Sequence, residues 1–130
     1  MQEFFNAIAK LIRVNLDDPD TSRMQERFDD MYRQFFRRPA EHFYGTEKEI
    51  ILDNLKQEGR SERDMFARME MLSELLYRDG LVKKSIPERC MLLEKSLYLL
   101  EYLDRHSRTF SWERNLKMND VRKILTEFDY

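Results

Sequence analysis

The sequence holds one cysteine, Cys90, in 130 residues. A single thiol closes no intrachain disulfide, which excludes a disulfide-stapled scaffold and points to a reducing compartment. Glycine and proline number three each, against roughly nine and six in an average chain of this length. So few turn formers leave little room for the tight reversals of a β protein. No run of about 18 apolar residues is present to span a bilayer. Glu3, Lys10 and Arg13 interrupt the N-terminal apolar residues that a secretory signal needs unbroken. Neither sign of charge dominates: 23 Lys and Arg against 25 Asp and Glu leave a net charge of −2. That balance argues against a dedicated polyanion binder, though it leaves a local basic patch open. Together these absences predict a cytoplasmic helical protein without a membrane span.

What is present fits one domain, 1–130. Hydrophobic residues make up 42% and charged residues 37%, too apolar for a disordered chain and sufficient for one core. Apolar residues recur at helical spacing almost throughout. A first helix from about Gln2 to Leu16 is expected to bury Phe5, Ile8, Ile12 and Leu16, and Asp17-Asp18-Pro19 to stop it. A second, Thr21 to Arg37, carries Met24, Phe28, Met31 and Phe35. Pro39 to Gly45 reads as a connector. Thr46 with Glu49 forms a capping box for a third helix bearing Ile50, Ile51 and Leu55. Gly59 is placed to close that helix in the left-handed conformation, and Gly59-Arg60 is the one candidate sub-boundary.

Ser61 can cap a fourth helix striped by Met65, Met69, Leu72 and Leu76, with Phe66 and Leu75 beside them and Gly80 as its stop. Ser85 and Glu88 form a second capping box, with Pro87 tolerated in the first turn. The fifth helix carries Ile86, Cys90, Leu93, Leu97 and Leu100, widened by Leu92, Leu99 and Leu103. So broad an apolar face predicts a central helix. A sixth starts after Ser111, carries Trp112, Leu116, Val121, Ile124, Leu125 and Phe128, and has Asn119-Asp120 as a candidate break. Short connections make consecutive helices pack antiparallel. The expected fold is therefore all-α, a five- or six-helix array of helical hairpins.

The fourth and fifth helices resemble a tetratricopeptide hairpin. Leu72, Leu75 and Leu76, then Asp79-Gly80, then Leu93-Glu94-Lys95-Ser96-Leu97, look like that repeat's first helix, turn and second helix. Ser96 stands where the repeat prefers a small residue, and Lys83-Lys84-Ser85-Ile86 looks inserted. The whole chain is also similar to an uncharacterised bacterial family of small helical proteins. Both resemblances imply a helical fold and carry no catalytic residues across.

Catalytic and metal chemistry finds little to work with. The Glu-x-x-His pairs of bundle metal sites are missing, because Pro39 and Leu103 stand three places before His42 and His106. Glu70 and Glu74 sit one turn apart, as a bridging pair would, but Arg68 and Arg78 are placed to pair with them on a solvated face. Cys90 lies on the apolar stripe, which favours packing over nucleophilic use. His106 suits a helix C-terminus and His42 a surface connector. The expectation is a non-enzyme with no cofactor and no metal.

Two binding readings remain. Phe4, Phe5, Ile8, Leu11, Met71 and Leu75 add apolar residues outside the main stripes, and predict burial against a protein partner or a second copy, giving a homodimer. Methionines at 65, 69 and 71 serve either as core fillers or as an adaptable partner surface. The alternative is nucleic-acid contact through Arg33, Arg37 and Arg38, which are interleaved with Tyr32, Phe35 and Phe36.

Overall fold

A computed structural model describes the backbone of residues 1–17 and 21–128, and side chains within 1–13 and 23–128. The described residues form seven α-helices and no strand: α1 Gln2–Asp17, α2 Thr21–Phe36, α3 Ala40–Gly45, α4 Lys48–Glu58, α5 Glu62–Val82, α6 Ile86–His106 and α7 Trp112–Glu127. The chain is all-α, and no helix among the described residues is long and apolar enough to cross a membrane. The expected stop at Asp18-Pro19 and the side chain of Leu16 lie outside the described residues. Two compact units divide the chain, residues 1–46 and residues 47–130. The boundary thus falls before α4, and Gly59-Arg60 lies inside the second unit.

In the first unit, α1 buries Phe4, Ile8 and Leu11, while α2 buries Met24, Phe28, Met31 and Tyr32. The expected α1 stripe through Phe5 and Ile12 is turned by one residue, leaving both half-buried. Phe4 takes the interior place because its ring meets Phe5, Phe35 and Phe36 edge-on, with centroids 5.2, 5.2 and 6.4 Å away. The expected connector is the helix α3, whose Ala40 and Phe43 are buried. Tyr32 stacks on Phe43 at 5.2 Å, so burying this ring organises the segment. Pro39 gives α3 no side-chain cap. Asp29 on α2 supplies one instead, accepting the Ala40 N–H at 2.8 Å and the Arg33 Nε–H at 2.7 Å. The Arg33 bond first, and the Ala40 bond next, hold the Asp29 carboxyl below its ordinary range.

Thr46 does not cap α4. Its hydroxyl donates back to the His42 carbonyl, and Glu47 is the N-cap, without a side-chain hydrogen bond. In the second unit, by contrast, the serine caps form as read: Ser61, Ser85 and Ser111 accept from the N–H groups of Asp64, Glu88 and Arg114.

Contacts fix the helix directions. Lys48 pairs with Glu94 at 2.6 Å and Lys56 lies over the Tyr102 ring, so α4 and α6 run the same way. Ser96 Oγ donates to the Ser73 carbonyl at 2.7 Å, while Gly80 lies against Leu92 and Leu93, so α5 and α6 are antiparallel. Gly80 does not stop α5, which continues to Val82. A Cβ there would come within 3.2 Å of the Leu93 side chain, so the glycine serves close helix approach. Gly59 is not left-handed either (φ −66°). A Cβ on it would meet Met65 Cβ at 2.8 Å, and its value is again room. The central α6 buries Cys90, Leu92, Leu93, Leu99, Leu100 and Leu103, but Ile86 at its start is exposed. Helix α7 runs unbroken through Asn119-Asp120. It packs Val121 and Leu125 onto Cys90 and Leu93.

Candidate interaction surface

Four of the six side chains read as spare apolar surface are interior: Phe4, Ile8 and Leu11 in the first unit and Leu75 in the second. Phe5 and Met71 are half-buried. The surplus was an artefact of drawing the stripes too narrow, since each helix face takes in the flanking positions. Met69 is fully buried and Met65 partly so.

The basic-aromatic segment is largely committed within its own unit. Arg33 pairs with Asp29, Tyr32 is buried, and Phe35 and Phe36 lie against Phe4. Arg37 and Arg38 are exposed.

Glu74 is not on a solvated face. It is buried, ion-paired with Arg78 at 2.9 Å and with Lys117 of α7. Glu70 is exposed, and Arg68 pairs with Asp64. One turn along, the Tyr77 hydroxyl donates to Asp120 at 2.7 Å. Burial, and then that bond to a carboxylate, push the Tyr77 hydroxyl up to about 12. These contacts tie α5 to α7, and no group of three metal-ligating side chains occurs among the described residues. Cys90 is a buried free thiol. His106 stacks on Tyr102 at 4.1 Å and His42 meets Phe43 edge-on.

The exposed apolar residues concentrate elsewhere, at the corner between α6 and α7. Phe110 is 71% exposed, Trp112 68% and Leu116 53%. At roughly 100° per residue, Trp112 and Leu116 share one face of α7, about 180° from Val121. Helix α7 is thus apolar on two opposite sides. One packs onto α6, and among the described residues the other faces outward. The corner is held rather than loose: Arg114 Nη2 donates to the Thr109 carbonyl at 2.8 Å and reaches Asp104 at 3.6 Å, while Asn115 Nδ2 donates to the Ser111 carbonyl at 2.9 Å. Near the same end of the unit, an open cleft of about 450 Å³ is lined by Lys56, Ser61, Met65, Phe66, Tyr102 and His106.

The sequence reading missed this surface by assigning Trp112 and Leu116 to the same side as Val121. Their angular positions carried the signal. No protein-family model, curated protein or solved structure matches the chain.

Proposed function

We propose that the protein is a non-catalytic helical interaction module whose binding surface is the α6–α7 corner. The observation that carries this is the exposure of Phe110, Trp112 and Leu116 within seven residues of a structured corner. Contiguous apolar surface of this kind, rimmed by polar groups, marks interaction sites, and tryptophan is enriched among the residues that dominate interface energies. The reading moves the partner surface from Phe4, Ile8, Leu11 and Leu75, which the fold occupies, to residues that solvent reaches.

Two finer points belong to the same proposal. The α5–α6 hairpin is tetratricopeptide-like, supported by its antiparallel course and by Ser96 at the close approach. The protein works in the cytoplasm, supported by its single, reduced, buried cysteine. Nucleic-acid contact through Arg33, Arg37 and Arg38 has less support, because the neighbouring aromatic rings are packed inward.

The test compares the full chain with its Leu116→Glu variant. Both should show the same helicity and thermal midpoint, since the position is exposed. Only the wild type should retain a specific protein from the native cell, or self-associate with rising concentration in light scattering. Identical behaviour of the two proteins would remove the corner as the binding surface. Salt-sensitive retention on heparin by both would favour the nucleic-acid reading instead.

A further inference from the structure

We propose that the α6–α7 corner receives an acidic, amphipathic segment of a partner protein, its apolar stripe on Phe110, Trp112 and Leu116 and its carboxylates on Arg105 and Arg108. This rests on the interaction reading above and names the chemistry of the occupant.

The charges around the apolar cluster decide the class. Arg105 ends α6 and Arg108 lies in the following loop; both are exposed, and neither has an ion-pair partner among the described residues. Arg114 is already committed to Asp104 and Thr109, and so holds the corner in shape. The nearby exposed anion, Glu113, sits in the first turn of α7, where the outward N–H groups of the helix start offset its charge. The corner therefore presents apolar side chains with two uncommitted guanidinium groups beside them. Guanidinium groups recognise carboxylates in a planar, paired geometry.

A second copy of the chain is a poorer occupant. A two-fold interface places the same patch on itself and brings these arginines towards their own copies. An anionic membrane is also poorer, since electrostatic recruitment draws on clusters of roughly four to eight basic residues, whereas this chain carries a net charge of −2.

Trp112 is the sole tryptophan, so its emission reports on this surface alone. The full chain would be titrated with a synthetic helical peptide carrying leucines along one stripe and glutamates on its flanks. A peptide with the same stripe flanked by lysines, and phosphatidylserine–phosphatidylcholine vesicles, would be titrated in parallel. The glutamate peptide is expected to shift the Trp112 emission to shorter wavelength, saturably, with a Kd at least about tenfold below that of the lysine peptide. The double variant Arg105→Glu/Arg108→Glu should lose that preference. Lys84→Glu, the same charge change in the loop between α5 and α6, should keep it. Equal binding of the two peptides would overturn the acidic class while leaving the interaction reading intact. A response to vesicles and to neither peptide would overturn both. Silence towards every probe would overturn the inference, and the Leu116→Glu comparison would then decide the broader reading separately.

Discussion

Arg37 is the one non-glycine residue with positive φ among the described residues, at 60°. It follows Phe36, the last residue of α2, and its N–H donates to the Arg33 carbonyl at 3.0 Å, closing the helix. That closure usually uses glycine, because a Cβ crowds the neighbouring carbonyl in the left-handed region. The sequence reading placed the left-handed residue at Gly59, yet Gly59 is extended. Arg37→Gly should therefore raise the unfolding free energy by about 0.5–1 kcal/mol, the relief of the Cβ exceeding the added freedom of the unfolded chain. Urea unfolding would check it, and a lower midpoint would mean that the Arg37 side chain contributes more than its backbone costs.

At the scale of the elements, the α5–α6 seam depends on small residues at Gly80, Ser73 and Ser96. Gly80→Val would place a branched side chain where even a Cβ is crowded by Leu92 and Leu93, both fully buried. Overpacking of this kind should cost about 1–3 kcal/mol, read as a fall in the thermal midpoint. An unchanged midpoint would show that the seam can open without penalty.

The α5–α7 contact has its own signature in alkaline solution. Folding favours the neutral Tyr77 hydroxyl, whose pKa is pushed up to about 12. The stabilisation is present in full below the ordinary tyrosine value near 10 and is lost as pH rises through about 12. Tyr77→Phe should flatten the stability profile across that window and cost about 0.5–1 kcal/mol at neutral pH, through the lost bond to Asp120. An equally steep alkaline decline in the variant would assign the effect to another group.

At the scale of the molecule, the two units draw on different helices for their interiors. The second unit gathers Cys90, Leu93, Val121 and Leu125, with Tyr77, Leu81, Leu97, Ile124 and Phe128 against them, all within residues 47–130. Residues 47–130 expressed alone should keep their helical circular dichroism and unfold cooperatively. A molten fragment with fluctuating tertiary packing would show that this core needs residues 1–46 to set.

Helix type, most helix positions and the serine caps were legible from spacing alone, because a 3.6-residue period and an N-cap hydroxyl are local properties. The central place of α6 was equally legible, since a face as broad as Leu92, Leu93, Leu99, Leu100 and Leu103 has to be covered on more than one side. Tertiary contact settled the rest. It made α3 from an expected connector by burying Phe43 under Tyr32, carried α5 past Gly80 by giving the glycine a neighbouring helix, and turned α1 to put Phe4 inside. It also decided which face of α7 meets α6, and so left Trp112 and Leu116 outside. A helix with apolar residues on two opposite sides carries no local preference for either one. Only the surface offered by its neighbour breaks that tie, and the residues proposed here to bind a partner are the side that was left over.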